Sequence, residues 1–268
     1  MIKLIVTDID GTLVEDGANT LPEGMMETIE ALIDRGIVFV AASGRSLVSL
    51  ERLFEPIKEK IYYAACNGTL VGPYRNLMFT ENLEKDLLRE LLRDAREYKD
   101  AVAFLTGAGI MYSDTQDEKL LQWLTEGYRE NITRVPDIAQ MPDDFVKLSI
   151  YDRNRRSGET FRPFCKKWDG VVSMATAGAM WLDVYKIGVN KGTAVKKLQE
   201  LLGVSREETL AFGDQQNDIE MLGKAYHSYA IGNALPEVKA VARYVADSNV
   251  NGGALKVFRS LLQKGSHK

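Results

Sequence analysis

Two groups of carboxylates and one lysine carry the chemistry this chain can offer. Asp8-Ile9-Asp10-Gly11-Thr12 follows Ile2–Thr7, a β-branched apolar run. Two carboxylates two residues apart, ahead of a glycine turn, can face one pocket, one as nucleophile and the other as general acid/base. Taken alone, the same residues also suit a polar turn that ends a strand. Gly213-Asp214-Gln215-Gln216-Asn217-Asp218 follows a second apolar run, Thr209–Phe212. If both strands are parallel, these acids emerge on the same sheet edge, where such sheets bind ligands. The alternative is a helix start capped by Asp214 or Asn217. With only 2 His and 2 Cys in the chain, a metal here must sit on oxygen. Oxygen donors, few in number and completed by a substrate phosphate, suit Mg²⁺. Asp8, Asp10, Asp214 and Asp218 would crowd one site, and two like charges 4 Å apart repel by about 4 kcal/mol at an effective dielectric of 20. A phosphate dianion joins such a cluster only with cations, and Lys191, in Asn190-Lys191-Gly192 at a helix start, is available. Ser43-Gly44-Arg45 offers a hydroxyl, free backbone amides and a helix N-terminus, a site for phosphate oxygens; alone it is also an ordinary N-cap.

The elements that must position these residues alternate. Ile2–Thr7, Ile37–Ala42 and Ile61–Ala65 read as buried strands, separated by helices over Pro22–Arg35 and Leu47–Phe54. That order predicts a parallel sheet with right-handed crossovers. From Thr80 the texture changes. Leu83–Tyr98, Glu118–Tyr128 and Thr160–Trp168 read as helices; Ala101–Thr106, Ile110–Ser113, Phe145–Tyr151, Val171–Ala175 and Met180–Tyr185 read as strands. Trp123, Trp168 and Trp181 sit at helix or strand spacing and are expected in a core. After Gly188 the first texture returns, with helices at Lys191–Leu202, Asp218–Gly223 and Gly253–Leu262 and strands at Thr209–Phe212, Tyr226–Ile231 and Arg243–Val245. The predicted fold is α/β, a Rossmann-like parallel-sheet core over residues 1–81 and 187–268 with an inserted α+β unit over 82–186. Gly265-Ser266-His267-Lys268 reads as a disordered end.

The chain has 268 residues, 34 Lys+Arg against 38 Asp+Glu, and 45% hydrophobic residues, the profile of a soluble globular protein. Its mild acidity disfavours nucleic acid as a partner, which needs clustered basic residues. No run of 18 apolar residues suits a membrane span. The opening Met1-Ile2-Lys3-Leu4 enters a strand pattern with no signal peptide. The two distant cysteines, Cys66 and Cys165, point to a reducing cytoplasm. The oligomeric state is left open.

Four stretches in order, Asp8-x-Asp10-Gly11-Thr12, Ser43-Gly44-Arg45, Asn190-Lys191-Gly192 and Gly213-Asp214-x-x-Asn217-Asp218, together resemble the haloacid dehalogenase superfamily, in particular its Cof-like sugar-phosphatase branch. Cys66-Asn67-Gly68 and Ala230-Ile231-Gly232-Asn233-Ala234 look like that branch too, and the resemblance spans the chain. It implies a Mg²⁺-dependent phosphatase acting on small phosphorylated metabolites, sugar phosphates foremost, with no nucleic-acid or membrane partner. It assigns Asp8 as the nucleophile that becomes an aspartyl phosphate and Asp10 as general acid/base. Ser43 and Gly44, with Gly11, Thr12, Lys191 and Asn217, would hold the phosphate, and Lys191 would brace Asp8. Asp8, the Asp10 carbonyl and Asp214 would hold Mg²⁺, with Asp218 in support, and the insert would be a substrate lid. Arg45, Asn67, Thr106, Asp183 and Lys186 are candidates for the substrate pocket. Asp183 stands where the family commonly has Glu, and Asn251 where Asp is usual. A phosphomutase of the same superfamily is the alternative, and a non-catalytic phosphometabolite sensor a more distant one.

Overall fold

A computed structural model describes residues 1–142 and 144–264; the expected disordered end at 265–268 lies outside the described residues. The first strands are β1 (Leu4–Thr7), β2 (Val38–Ala42), β3 (Tyr62–Ala65), β4 (Leu70–Pro73) and β5 (Phe79–Thr80). β6 (Ala101–Thr106), β7 (Met111–Ser113), β8 (Ile132–Arg134), β9 (Lys147–Asp152), β10 (Val172–Ala177) and β11 (Trp181–Lys186) follow. β12 (Thr209–Gly213), β13 (His227–Ala230) and β14 (Tyr244–Val245) complete the set.

These strands form two sheets. One runs β14-β13-β12-β1-β2-β3-β4-β5, parallel from β14 to β3 and antiparallel at β4 and β5. Leu4, Val6, Val40, Ala42 and Ala64 pack on the helix Lys191–Leu202. Ile5, Ala41 and Tyr63 face the other way, toward the helices Met25–Ile33 and Gly253–Lys264. Burial of both faces explains why these strands read as continuous apolar runs. The second sheet runs β10-β11-β9-β6-β7-β8 and draws every strand from residues 101–186. Leu105, Leu148, Ile150, Leu182 and Val184 on one of its faces pack on the helices Lys85–Ala95 and Arg162–Trp168. Its other face carries Phe104, Tyr151 and Trp181 and meets the helix Glu118–Gly127. The molecule is therefore mixed α/β with a parallel-sheet core.

Some details differ from the sequence expectation. The first helix spans Met25–Ile33, shorter than Pro22–Arg35, because Gly24 precedes it in a left-handed conformation. The short strands β4, β5 and β8 were not foreseen. Trp168 is buried as expected, but Trp123 is 38% exposed and Trp181 only partly buried.

The register of the first sheet brings the two acid-bearing loops together. Thr7 pairs with Phe212, and the Asp8 amide donates to the Phe212 carbonyl at 3.0 Å. Asp8 and Asp214 thus leave adjacent parallel strands at one carboxyl edge. The chain leaves β1 toward β2 on one side while β12 lies on the other, the switch point at which such sheets bind ligands. Helix Lys191–Leu202 starts with a capping box: Asn190 accepts from the Thr193 amide at 2.8 Å, and Thr193 Oγ1 accepts from the Asn190 amide at 3.0 Å. That reciprocal pair fixes the first helical residue, Lys191. The next residue must be small, since a Cβ on Gly192 would stand 2.6 Å from the Glu220 backbone carbon. Gly192→Ala is expected to lower the unfolding free energy by about 1–3 kcal/mol, as overpacking does, measured by urea denaturation; an unchanged midpoint would show that the two helices can separate freely.

Candidate active site

Lys191 is a buried ammonium between two carboxylates. Its Nζ donates to Asp8 Oδ1 at 2.5 Å and to Asp218 Oδ1 at 2.7 Å. Asp218 is fully engaged, because its Oδ2 accepts from the amides of Asp214 at 2.9 Å and Gln215 at 3.0 Å. Asp218 thereby shapes the loop that presents Asp214. The Thr12 hydroxyl donates to Asp214 Oδ1 at 2.6 Å, and Gln215 Nε2 to Asp214 Oδ2 at 3.0 Å. Gly11 lets this loop pass close: its φ is +78°, and a Cβ there would lie 2.3 Å from Asp214 Oδ2, a place only glycine fills at low cost.

Asp8, Asp214 and Asp218 each offer a carboxylate oxygen, and these oxygens lie within 4.8 Å of one another. Burial, then the charge of Asp218, raises the Asp8 carboxyl well above the usual range, with Lys191 acting the other way. Burial and Asp218 also raise Asp214, against the hydrogen bonds from Thr12 and Gln215. Burial disfavours charge on Lys191, but Asp218 and Asp8 outweigh it and push its pKa up. Three buried carboxylates around one ammonium leave negative charge uncompensated. An all-oxygen donor set with that charge fits a hard dication such as Mg²⁺.

The rest of the site comes from four loops and the second sheet. Asp8, Asp10, Gly11, Ser43, Gly44, Asp214 and Asn217 line one cleft of about 190 Å³. Thr12, Lys191 and Asp218 stand behind them, spent on Asp214 and Asp8. Ser43 Oγ accepts from the Arg45 amide at 3.1 Å. Asn217 Nδ2 donates to Asn67 Oδ1 at 3.0 Å, and Asn67 Nδ2 to Asp183 Oδ2 at 3.1 Å. Cys66 and Asn67 adopt positive φ, 50° and 59°, and such strained backbone clusters at functional sites. Burial pushes the Cys66 thiol up to about 12, so it is no nucleophile at neutral pH.

Sequence reasoning missed several partners. Arg45 binds Asp10 with two prongs, Nε to Oδ2 at 2.8 Å and Nη2 to Oδ1 at 2.5 Å. Lys147 donates to the Gly44 carbonyl at 2.8 Å and to Asp183 at 3.0 Å, and Ser149 to Asp183 at 2.7 Å. A lysine at alternating spacing inside an apolar strand was the available signal for Lys147. Glu130, in a loop, gave no signal; it is buried and takes the Ser46 hydroxyl at 2.5 Å. Among the other pocket candidates, Arg45 and Asp183 line the cleft. Lys186 instead pairs with Glu81 at 2.7 Å, and Thr106 is a buried hydroxyl with no hydrogen-bond partner among the described residues.

The family model described as haloacid dehalogenase-like hydrolase matches residues 5–258. The chain is 28% identical over 262 residues to the 5-amino-6-(5-phospho-D-ribitylamino)uracil phosphatase YbjI of Escherichia coli, covering 98% of this chain and 97% of that one. It is 27% identical to the HMP-PP phosphatase of Cronobacter sakazakii, over 90% of this chain and 88% of the other. A crystal structure from Eubacterium rectale superposes with a TM-score of 0.85 at 33% identity, covering 97% of this chain and 99% of that one.

Glu130 gives the site a pH signature. Burial raises its carboxyl above the ordinary glutamate range, against the Ser46 hydroxyl, Lys147 and Arg45. The native state then holds this proton more tightly than the unfolded chain does. The stability Glu130 contributes therefore falls as pH rises from the ordinary glutamate range to the raised native value. Across that window Glu130→Gln is expected to lose less stability than the parent with rising pH, measured by urea unfolding; parallel pH profiles would contradict the burial effect.

Proposed function

We infer, from the fact that the chain belongs to the haloacid dehalogenase-like hydrolases and is an enzyme of their phosphatase type, that it hydrolyses small phosphomonoesters through an aspartyl phosphate on Asp8. The observation that carries this reading is the Lys191 clamp. It occupies Oδ1 of Asp8, while Oδ2 has no hydrogen-bond partner among the described residues and is the oxygen left to attack phosphorus. In the first step Asp8 Oδ2 bonds to phosphorus, the bond to the ester oxygen breaks, and Asp10 gives its proton to the departing alcohol. In the second, Asp10 takes a proton from water, whose oxygen attacks phosphorus and returns Asp8 as a carboxylate with inorganic phosphate released. Such two-step transfer rests on positioning and charge stabilisation.

Asp8, Asp214 and the Asp10 carbonyl, with Asp218 behind them, are the residues that would hold Mg²⁺, which when bound supplies positive charge against the phosphoryl oxygens. The Ser43 hydroxyl, the 43–45 backbone, Gly11 and Asn217 would receive those oxygens, with Thr12 and Lys191 holding Asp214 and Asp8 in place. Residues 1–81 and 187–268 would form the catalytic core and 82–186 the lid. That division is supported by the second sheet, which draws its strands from 101–186 and faces the cleft with Lys147, Ser149 and Asp183. Hydrolysis is favoured over a phosphomutase, which must seat a second phosphate. Among the described residues the cations lining the cleft are Arg45 and Lys147, and each is already paired, with Asp10 and with Asp183. A cytoplasmic location is supported by the unpaired thiols Cys66 and Cys165. Among the described residues no helix is long and apolar enough to cross a membrane.

In phosphate-release assays Asp8→Asn is expected to abolish turnover with the fold, read by the circular-dichroism spectrum, retained. Persistent turnover would remove Asp8 as nucleophile. Asp10→Asn should slow release by roughly 10²–10⁴-fold, the usual worth of a general acid/base, and let the phosphoenzyme accumulate. EDTA should silence the enzyme and Mg²⁺ restore it; activity indifferent to both would exclude the proposed dication.

A further inference from the structure

The segment Ala230-Ile231-Gly232-Asn233-Ala234, which follows β13, has no part in the mechanism above, yet it touches both acid-bearing loops. Its Ile231 amide donates to the Gly213 carbonyl at 3.2 Å, and the Leu235 amide just after it to the Asp214 carbonyl at 3.0 Å. On the other side Asn233 Nδ2 donates to the Gly11 carbonyl at 2.8 Å. The segment is itself pinned to the loop after β14. The Gly232 amide donates to the Asp247 carbonyl at 3.2 Å, and a Cβ on Gly232 would stand 2.8 Å from the Ser248 nitrogen. That close approach brings the Asn249 amide to Asn233 Oδ1 at 3.0 Å. An amide oxygen only accepts, so this bond settles which end of Asn233 faces Gly11. Asn249 also donates from Nδ2 to the Val14 carbonyl at 3.1 Å.

The two asparagines hold the peptides on either side of Gly11. The Gly11 amide donates to the Val14 carbonyl at 2.9 Å, the same oxygen that Asn249 holds. A trans peptide is planar, with its C=O opposed to its N–H, so fixing the Gly11 N–H fixes the direction of the Asp10 carbonyl. Asn233 fixes the next peptide, Gly11–Thr12, and with it Thr12, whose hydroxyl holds Asp214 Oδ1 at 2.6 Å. Two tendencies oppose that arrangement. Gly11 sits at a φ of +78°, and glycine takes either sign of φ about equally, so nothing in the residue itself keeps the loop there. Asp8, Asp214 and Asp218 crowd together, and Lys191 alone does not cancel their charge, so repulsion pushes the Asp8 and Asp214 loops apart when no cation is bound.

We propose that Asn233 is a positioning residue for the dication: its bond to the Gly11 carbonyl, locked by Asn249, holds the Asp10 carbonyl and Asp214 in one arrangement, ready for the cation. This deepens the phosphatase reading and rests on its Mg²⁺. Asn233 is exposed, so its loss costs the fold little. The loop instead spends part of its time in arrangements that do not bind, and affinity falls with the fraction that remains competent.

Mn²⁺ is the probe, titrated into the whole protein without substrate and followed by loss of the free ion's electron paramagnetic resonance signal. Asn233→Ala is expected to raise the Mn²⁺ dissociation constant by about fivefold, the worth of one hydrogen bond. The Mg²⁺ concentration for half-maximal phosphate release should rise by a similar factor. Asn233→Asp separates position from charge. It has the same shape and keeps the acceptor for Asn249, but it loses the donor to Gly11 and adds a negative charge near the cluster. Charge alone would tighten Mn²⁺ binding, whereas the positioning role weakens it. Asn249→Ala, which removes the Val14 bond, should weaken Mn²⁺ as well and decides the matter if Asn233→Ala fails to fold. Parent-like Mn²⁺ affinity in a folded Asn233→Ala, or tighter binding by Asn233→Asp, would overturn this inference and leave the phosphatase reading standing. A parent that binds no Mn²⁺ would overturn the dication and this inference with it.

Discussion

Compensation of buried negative charge is the constraint around which this molecule is arranged. Asp8, Asp214 and Asp218 are all buried, and isolated buried carboxylates would cost several kcal/mol each. Lys191 answers two of them directly, and backbone amides answer the far side of Asp218. Each element near the site serves that compensation. The parallel pairing of β1 with β12 sets Asp8 beside the Asp214 loop. The capping box at Asn190–Thr193 sets the position of Lys191. The bare Gly192 lets its helix reach Glu220, next to Asp218. The remaining negative charge on an all-oxygen donor set is what suits the site to a hard cation. Fold stability and function are thus coupled through the same four side chains.

The second sheet meets the first through a different polar chain. Asn217, Asn67, Asp183 and Lys147 are linked by hydrogen bonds in that order, and Lys147 then reaches the Gly44 carbonyl. The path begins and ends on loops that line the cleft and passes through β9 and β11. Asp183, where the resemblance leads one to expect Glu, still reaches Asn67, Lys147 and Ser149, because all three stand close to its strand position. Lys147 and Asp183 are both about 5% exposed at the side chain, so this pair cannot lean on solvent. Separating the two sheets would strand both charges unless water replaced their partners.

The parts legible in the sequence were those governed by local rules. β1, β2, β3 and β12 are buried on both faces and read as apolar runs. The acid-bearing loops follow them, and the chain order alone suggested that they meet. Long-range complementarity was not legible. Arg45 looked like part of a phosphate turn, yet its side chain is committed to Asp10, 35 positions away. β4 is four residues long and includes Gly72 and Pro73, which read as turn residues, and it pairs because β3 offers an open edge. Trp181 has the strand spacing of a core residue, but burial at alternating positions does not say which face of a sheet is covered by helices and which opens onto a cleft.

The Arg45–Asp10 pair bears on the order of events. A guanidinium keeps its proton throughout the accessible pH range, so Arg45 can orient the Asp10 carboxylate without competing for the proton that the proposed mechanism has Asp10 pass to the alcohol and later take from water. Burial opposes the Arg45 charge, and the Asp10 hydrogen bonds outweigh it and raise its pKa. Arg45 also donates to the Ala18 carbonyl at 2.7 Å, and its guanidinium sits 5.7 Å from the centre of the Tyr128 ring. Asp10 is therefore steadied by a residue whose guanidinium also stacks over the Tyr128 ring of the second unit. Movement of Tyr128 away from the cleft would take one support from Arg45, and with it from Asp10. One side chain, Arg45, thus links the proposed acid/base to the wall of the cleft that the second sheet supplies.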